Sequence, residues 1–259
     1  MSNNCVTCEL VKNIPINEEY FVLEFYWQGC APKAGQFFMM KPSRSSVFLL
    51  RPISIFEYDA KTKLLKFLIA KRGKGTCELS ELQKGDKVIF TGSFGNAWAD
   101  FLPKSSKTAK AALVGGSVGT APLSSLVAEK PEVCFHFYAG FRQGFPGKDQ
   151  ENLMLGAAVN AKKLVVTAED GKNAQIGRVL DTFTPENYDV VFGCGPIPML
   201  KALKIKCESQ NIPCFISMES RFACGVGACL GCTIRTVGGN RCCCKDGPIF
   251  PANTILFDE

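Results

Sequence analysis

The sequence predicts a chain of mixed class, α/β plus β: a six-stranded antiparallel β-barrel, then a parallel-sheet α/β domain, then a small cysteine-rich segment. Short β-type runs broken by glycine and proline turns predict the barrel. From about residue 108, apolar strands alternate with helical stretches, which is typical of a parallel sheet. Six of the fourteen cysteines lie between Cys224 and Cys244. We place the domains at residues 1–104, 105–214 and 215–259.

Six runs enriched in alternating, β-branched or aromatic residues predict the strands of the barrel. They are Val6–Val11, Tyr20–Phe25, Gln36–Met40, Ile53–Tyr58, Leu64–Ala70 and Lys87–Thr91. One short helix is expected at Cys77–Leu82.

Three segments of the barrel region contain candidate binding residues. Arg51-Pro52-Ile53-Ser54 places a cation and a hydroxyl at the start of a strand. Lys71-Arg72-Gly73-Lys74-Gly75-Thr76 is a glycine-rich loop leading into a helix, an arrangement suited to bind phosphate through backbone donors. Thr91–Asn96 is a turn-rich loop after the last strand. Such turns are common in barrels, so the specificity of these segments comes from their order and spacing.

The second domain is predicted from strands that alternate with helices. The strands are Lys110–Val114, Val133–Ala139, Lys163–Thr167 and Asp189–Phe192, and helices are expected up to Ala128 and over Pro198–Gln210. This order places a ligand at the carboxyl ends of the strands.

Two glycine-rich loops follow strands of this domain and predict a crevice for a dinucleotide. Gly115, Gly116 and Gly119 follow the first strand, and Cys194, Gly195 and Pro196 follow the fourth. The first loop is not a full G-x-G-x-x-G motif, because Val114 stands at the first glycine position, and tight strand–helix packing is the alternative. Glu169 and Asp170 follow the third strand and favour NAD over NADP, since a carboxylate accepts from a ribose hydroxyl and repels a 2′-phosphate.

Cys224, Cys229 and Cys232 have the C-x4-C-x2-C spacing of plant-type [2Fe–2S] ferredoxins. The fourth ligand is open among Cys242, Cys243 and Cys244, although neighbours on an extended strand point to opposite faces, so Cys243 does not share a role with either. A structural zinc site is the alternative. Zinc sites usually pair two short knuckles, whereas three of these cysteines fall in one loop.

The scattered cysteines are expected to be packing residues, because free cysteine behaves as a small buried hydrophobe. This applies to Cys30, Cys77, Cys134, Cys207 and Cys214. The pair Cys5 and Cys8 lacks a second knuckle, so packing is favoured over metal binding there as well.

Composition excludes several classes of function. No apolar run approaches the length of about 18 residues that a membrane span needs. Met1–Asn4 lacks the start of a signal peptide, so we expect a cytoplasmic protein with reduced cysteines. The net charge of +6 is spread without a basic run, which argues against nucleic acid. The one histidine, His136, lies in an apolar run and is expected to be a buried strand residue; no catalytic acid or base is predicted.

In combination, these segments resemble a flavoprotein of the ferredoxin–NADP reductase superfamily fused to a [2Fe–2S] segment. More narrowly, the chain is similar to the electron-transfer subunits of NAD-dependent dihydroorotate dehydrogenases over nearly its whole length. The resemblance implies that Arg51 meets the FAD phosphates, Ser54 the isoalloxazine edge and Gly73–Thr76 the pyrophosphate. It also implies that Gly115–Pro122 and Cys194–Pro196 hold NAD, with Cys194 near the face of hydride transfer.

The cysteine-rich segment takes part in the same resemblance. Three stretches are similar to the cluster region of those subunits: Glu219-Ser220-Arg221, the loop of residues 223–232 (the cysteine loop) and Cys244-Lys245-Asp246-Gly247-Pro248. In that alignment the cysteine before the Lys-Asp-Gly-Pro segment is the ligand, which implies Cys244.

The function implied by the resemblance is that of an oxidoreductase subunit in pyrimidine biosynthesis. Electrons from an FMN-containing dihydroorotate dehydrogenase catalytic subunit enter through the cluster, reach FAD and reduce NAD+, within a heterotetramer. The flavin converts between hydride and single-electron transfer. Phe222, Val226 and Leu230 are expected to supply apolar contact surface for this partner.

Two other functions are compatible with these residues. One is a related NAD(P)H-dependent FAD/[2Fe–2S] reductase subunit that serves a sulfide or sulfite reductase or a ferredoxin-coupled complex. The other is a zinc-stabilised binding protein, which leaves the order of the glycine-rich segments without a reason.

Overall fold

The computed structural model describes residues 5–104 and 109–257, and these residues form two seven-stranded sheets and one hairpin. The first sheet contains β1 (Val6–Pro15), β2 (Tyr20–Tyr26), β3 (Phe37–Pro42), β4 (Arg51–Ser54), β5 (Glu57–Asp59), β6 (Leu64–Ala70) and β7 (Lys87–Phe94). The second contains β8 (Lys110–Gly116), β9 (Cys134–Phe141), β10 (Lys163–Ala168), β11 (Gln175–Ile176), β12 (Val190–Cys194), β13 (Cys214–Ser217) and β16 (Ile249–Pro251), and the hairpin contains β14 (Thr233–Thr236) and β15 (Gly239–Cys242). The helices are α1 (Lys74–Ser80), α2 (Thr120–Glu129), α3 (Lys148–Leu155), α4 (Ile197–Glu208) and α5 (Cys243–Asp246).

Two of the sequence-based predictions concern residues that lie outside or next to the described ranges. The residues Met1–Asn4, on which the prediction of no signal peptide rests, lie outside the described residues. The predicted boundary after residue 104 lies next to the undescribed residues 105–108.

The first sheet confirms the antiparallel barrel and corrects its fourth strand. Its order is β4-β3-β7-β1-β2-β6-β5, and every pair in it is antiparallel. The predicted single strand Ile53–Tyr58 is wrong, because its two halves pair with opposite ends of the sheet. The Ile55 N–H donates to the Gln36 carbonyl beside β3, whereas the Phe56 N–H donates to Lys66 of β6. This switch of partner between adjacent residues brings the two ends of the sheet together.

The barrel is filled by phenylalanine rings that pack mostly edge to face. Phe25 and Phe90 have centroids 4.8 Å apart, Phe38 and Phe67 lie 5.7 Å apart, and all four rings are fully buried. Edge-to-face pairs contribute beyond the area they bury. The large rings therefore provide the rigid base on which β3 and β4 are held.

Two element boundaries in the barrel differ from those predicted. Helix α1 begins at Lys74, not at Cys77, because Thr76 Oγ1 accepts hydrogen bonds from the N–H groups of Arg72 and Gly73. Most of the predicted loop Gly73–Thr76 is therefore the first helical turn. Strand β7 continues to Phe94, so the first four residues of the predicted loop Thr91–Asn96 are strand.

The second sheet has the order β11-β10-β9-β8-β12-β13-β16 and is parallel except for β16. The carboxyl ends of its parallel strands consequently meet at one edge, as the predicted α/β domain requires. Strand β13 runs across the predicted boundary at residue 214, and β16 from the predicted third domain pairs with it. The cysteine-rich segment is thus inserted between two neighbouring strands of this sheet.

Asn96 connects the barrel to residues 247–249, which follow the cysteine-rich segment. Its Nδ2 donates to the Ile249 carbonyl at 2.8 Å, and its Oδ1 accepts from the Ile249 N–H at 3.0 Å. Its backbone N–H donates to the Gly247 carbonyl at 2.8 Å. The Met218 N–H also donates to the Pro248 carbonyl, so both ends of the cysteine-rich segment are held together.

Among the described residues, none of the helices has the length and apolar character needed to cross a membrane.

We expect Asn96→Ala to lower the free energy of unfolding by about 1–3 kcal/mol, because it leaves the N–H and carbonyl groups of Ile249 without their side-chain partner. Chemical denaturation of the holoprotein measures the change. Asn160→Ala, at an exposed asparagine on the second domain, is the matched control and should change stability by less than about 0.5 kcal/mol. Equal losses in the two variants would contradict the role given to Asn96.

Candidate cofactor cleft and cluster loop

The two flavin-binding segments predicted in the barrel lie side by side. Arg51 begins β4 opposite Met40, and its side chain crosses Gly75, where a Cβ atom would overlap Arg51 Nε. A side chain at position 75 would therefore displace the Arg51 side chain from its close approach to helix α1. Ser54 ends the same strand opposite Phe37. The structure thus brings together Arg51–Ser54 and Gly73–Thr76, which are separate in the sequence.

The two glycine-rich loops of the second domain form one continuous backbone surface. A Cβ atom at Gly119 would overlap the Cys194 carbonyl and lie 2.8 Å from the Gly195 nitrogen. A Cβ atom at Gly116 would lie 2.8 Å from Pro196 Cδ. Gly115 is the neighbour of Cys194 in the β8–β12 pairing. All six predicted residues of these loops therefore meet at the carboxyl edge of the sheet.

Cys194 is a buried neutral thiol in this edge. Burial raises its pKa well above the ordinary value, and the charge of Glu219 raises it further, against a hydrogen bond with Ser217. A thiol in this state is a poor nucleophile at neutral pH. Cys194 can therefore shape the cleft without offering competing thiolate chemistry.

Glu219 and Arg72, which are far apart in the sequence, interact electrostatically. Glu219 is exposed at the surface, but neighbouring protein atoms remove part of the hydration of its carboxylate. This loss of hydration raises its pKa. The Arg72 guanidinium acts on Glu219 in the opposite direction. Arg72 lies in the predicted glycine-rich segment Lys71–Thr76 and Glu219 in the segment Glu219-Ser220-Arg221, but neither was among the predicted cofactor-binding residues.

The two carboxylates predicted to select NAD have different surroundings. Asp170 Oδ1 accepts from the N–H groups of Gly144 and Lys172, and these bonds lower its pKa. Glu169 is exposed, with Arg178 Nε at 3.6 Å from its Oε1. Asp170 is thus engaged in a turn, and Glu169 is the more available acceptor at this strand end. Their role in selecting NAD stays a prediction.

Cys224 lies in a nest of backbone donors. Its sulfur accepts from the N–H groups of Val226 at 3.5 Å and Cys229 at 3.4 Å. Burial by itself would raise its pKa, but these N–H groups, that of Ala228 and the Cys229 thiol lower the pKa to about 6. Cys224 is therefore largely a thiolate at neutral pH.

Cys232 and Cys244 form a second, buried pair. Their sulfurs are 3.2 Å apart, and the Gly227 N–H donates to the Cys244 sulfur at 3.0 Å. Burial and the hydrogen bond with Cys232 raise the pKa of Cys244 to about 12. Cys242 instead faces Thr233 Oγ1 at 3.8 Å, and Cys243 is fully buried. Of the three consecutive cysteines, the one that meets the cysteine loop is Cys244.

The donor set fits a [2Fe–2S] cluster. In such a cluster each iron takes two thiolates, and the four predicted sulfurs stand as the pairs 224/229 and 232/244. Within the described parts of the chain, no three His, Cys, Asp or Glu side chains are gathered closely enough to hold a metal ion as they stand. Backbone N–H groups directed at the sulfurs stabilise thiolates and adjust the potential of a bound cluster.

The cysteine loop rests on the barrel strands that carry the predicted flavin residues. A Cβ atom at Gly225 would lie 2.9 Å from Met39 Cγ, and Met39 pairs with Pro52 across β3 and β4. Phe222 packs edge-on against Phe37 with centroids 5.1 Å apart. The predicted cluster and flavin sites therefore share one wall of the barrel.

The remaining predictions have mixed outcomes. His136 is a half-buried residue of β9 whose Nδ1 lies 3.0 Å from the Tyr188 hydroxyl, away from the glycine-rich loops. Cys207 and Cys214 are buried as expected. The same expectation is wrong for Cys30 and Cys77, which are exposed. Cys30 lies in the connection between β2 and β3, and Cys77 lies on the solvent side of α1.

We expect Gly119→Ala to weaken the binding of NAD+ to the holoprotein at least ten-fold, a loss of about 1.4 kcal/mol. The added methyl group must push the first glycine-rich loop away from Cys194 and Gly195. Calorimetric titration with NAD+ measures the affinity. The control is Gly238→Ala, because a Cβ atom at Gly238 has its nearest neighbour 3.9 Å away. Unchanged affinity in Gly119→Ala would show that this contact does not shape a nucleotide site.

Comparison with known proteins assigns the chain to a family. Residues 219–256 match the model of the iron–sulfur cluster binding domain of dihydroorotate dehydrogenase B. The chain is 40% identical over 228 residues to the dihydroorotate dehydrogenase B (NAD(+)) electron transfer subunit of Clostridium acetobutylicum, covering 88% of this chain and 87% of that one. It is 32% identical over 254 residues to the subunit of the same name from Caldanaerobacter subterraneus, covering 96% and 97%.

Solved structures show the same fold at lower identity. An NADH-dependent reduced ferredoxin-NADP oxidoreductase matches with a TM-score of 0.81 and 21% identity, over 99% of this chain and 91% of that chain. A ferredoxin NADP+ reductase from Neisseria gonorrhoeae matches with a TM-score of 0.60 and 14% identity, over 80% and 91%. From its sequence identity and coverage, the chain belongs to the family of electron transfer subunits of dihydroorotate dehydrogenase B (NAD(+)).

Proposed function

We propose that this chain carries electrons between a partner flavoprotein and NAD+ through a [2Fe–2S] cluster and FAD. In the direction of pyrimidine biosynthesis, the partner oxidises dihydroorotate to orotate and delivers electrons to the cluster. The cluster supplies single-electron transfer, and FAD supplies the exchange between single electrons and hydride. The chain itself supplies the sites that hold these groups in order.

The observation that carries the proposal is the contact of the cysteine loop with β3 and β4. The loop backbone at Gly225 rests on Met39, and Met39 is paired with Pro52 in the segment Arg51–Ser54. One short stretch of barrel therefore separates the proposed ligands of the cluster from the proposed residues of the flavin site. Such proximity is what passage of electrons between the two groups requires.

The family resemblance and the proximity of these segments support the following residue roles. Arg51–Ser54 and Gly73–Thr76 hold FAD. Gly115, Gly116, Gly119 and Cys194–Pro196 hold NAD, with Glu169 as acceptor for the ribose. Cys224, Cys229, Cys232 and Cys244 hold the cluster. A side-chain acid or base is not required for hydride transfer, which agrees with the neutral state of Cys194.

The partner is proposed to be the FMN-containing catalytic subunit, and the complex a heterotetramer in the cytoplasm. Val226 and Leu230 expose 45% and 64% of their surface on the cysteine loop and suit an apolar contact. Phe222, which the sequence also suggested for this surface, is half-buried against Phe37. The docking surface is therefore centred on Val226 and Leu230.

The purified holoprotein tests the proposal directly. We expect flavin and iron–sulfur absorption, bleaching of both on anaerobic addition of NADH, and dihydroorotate-dependent reduction of NAD+ once the catalytic subunit is added. A protein that contains zinc and no flavin would refute the proposal. A holoprotein reduced by NADH but inactive with that subunit would refute the partner alone.

The choice of the fourth ligand can be tested with matched cysteine variants. We expect Cys244→Ser to lose the cluster, because its sulfur is the one paired with Cys232. Cys242→Ser should keep iron and labile sulfide near two of each per chain, since Cys242 faces Thr233. Iron and sulfide analysis together with visible absorption measures this. Loss of the cluster in Cys242→Ser alone would contradict the assignment.

The docking surface can be tested with Leu230→Asn. Leu230 has φ of +58°, a conformation that asparagine tolerates, so the substitution removes the apolar contact and not the backbone geometry. We expect at least a five-fold weaker affinity for the catalytic subunit, with NADH-dependent bleaching of the flavin unchanged. Val237→Asn is the control, because Val237 is similarly exposed but lies at the tip of the β14–β15 hairpin. Equal losses in both variants would contradict this location.

A further inference from the structure

Ser117 occupies an unusual backbone position in the first glycine-rich loop. It follows Gly116 directly and has φ of +55°, in the left-handed region that residues with a Cβ atom rarely adopt. Its carbonyl accepts a hydrogen bond from Thr120 Oγ1 at 2.9 Å, which closes the turn into α2. A glycine would adopt this conformation without cost, so a serine needs a compensating interaction.

Tyr20 provides that interaction from the other domain. Its hydroxyl lies 2.7 Å from Ser117 Oγ, across a separation of 97 residues in the sequence. Tyr20 starts β2 in the barrel and is buried, whereas Ser117 directly follows β8, the first strand of the parallel sheet. Burial raises the pKa of Tyr20, so its hydroxyl stays protonated across the physiological range.

The backbone around Tyr20 is itself held firmly. Asn17 Oδ1 accepts from the N–H groups of Glu19 and Tyr20, and the Ile16 N–H donates to the Tyr20 carbonyl. The Glu19 carbonyl accepts from the Lys71 N–H at 2.8 Å, at the start of the segment that leads to Gly73–Thr76. Tyr20 is therefore anchored to the part of the barrel assigned to FAD.

We propose that Tyr20 is a positioning residue for the nicotinamide nucleotide, acting by holding Ser117 in its left-handed conformation. The inference rests on the proposed function, in which Gly115–Gly119 bind NAD. The hydrogen bond fixes this loop relative to the barrel. The nucleotide therefore binds to a preformed surface that is held in a constant position relative to the flavin site. Without the hydrogen bond, Ser117 relaxes toward ordinary backbone angles. The free energy needed to restore the loop is then subtracted from the free energy of nucleotide binding.

Variants at both positions separate this role from simple attachment of the domains. In Tyr20→Phe we expect the dissociation constant for NAD+ of the oxidised holoprotein to rise about five-fold, the effect of one ordinary hydrogen bond. Ser117→Gly supplies the background in which the tyrosine has no strained residue to hold, because glycine adopts positive φ unaided, and its own affinity for NAD+ is the reference for the pair. Adding Tyr20→Phe to Ser117→Gly should then change the affinity by less than two-fold, since nothing is left for the tyrosine to hold.

Titration calorimetry with NAD+ gives the affinities, and stopped-flow bleaching of the flavin by NADH gives a second readout. Thermal unfolding and FAD content are measured in parallel, with Tyr26→Phe, at an exposed tyrosine on the same strand, as the matched control. A five-fold loss that persists in the Ser117→Gly background would overturn the inference. So would a drop in melting temperature in Tyr20→Phe with unchanged affinity, which marks a purely structural contact. Absence of NAD+ binding by wild-type holoprotein would instead remove the proposed function and this inference with it.

Discussion

The rest of the structure depends on the return of the chain to the edge of the parallel sheet. Strand β16 pairs with β13, and Asn96 binds both polar backbone groups of Ile249. Both ends of the intervening segment are thereby fixed beside the barrel. The cysteine loop has to lie across the short gap between barrel and sheet, where its backbone reaches Met39. If the segment were attached at one end only, these contacts would not hold its four thiols at a constant distance from β3 and β4.

Electrostatics within the cysteine loop divide the thiols into two kinds. Backbone N–H groups lower the pKa of Cys224 to about 6, whereas burial raises that of Cys244 to about 12. A metal ligand must be deprotonated, so a cluster held by the proposed ligands would take the place of a proton at Cys244 and of little or none at Cys224 near neutral pH.

The sequence predicted the elements of this molecule better than their mutual contacts. Periodicity and turn residues located the barrel and the parallel sheet, and the cysteine spacing located the loop. They did not show that Ile55 and Phe56 choose different partners, since that depends on closure of the whole sheet. Nor did they assign a role to Asn96 or Tyr20, whose partners lie 153 and 97 residues away. The exposure of Cys30 and Cys77 was missed for the same reason, because composition alone does not show which side of a turn or helix faces the core.

The arrangement of charges explains how the chain can serve electron transfer with so few reactive side chains. Cys194 is kept neutral by burial, and the one histidine is engaged with Tyr188 on a strand of the parallel sheet. In the cysteine loop, the groups that donate to the sulfurs of Cys224 and Cys244 include the backbone N–H groups of Val226, Gly227 and Cys229, which do not titrate in the physiological range. Fixed dipoles of this kind also require little reorganisation when an electron arrives. The backbone of the cysteine loop thus stabilises negative charge on the sulfurs to which its N–H groups donate.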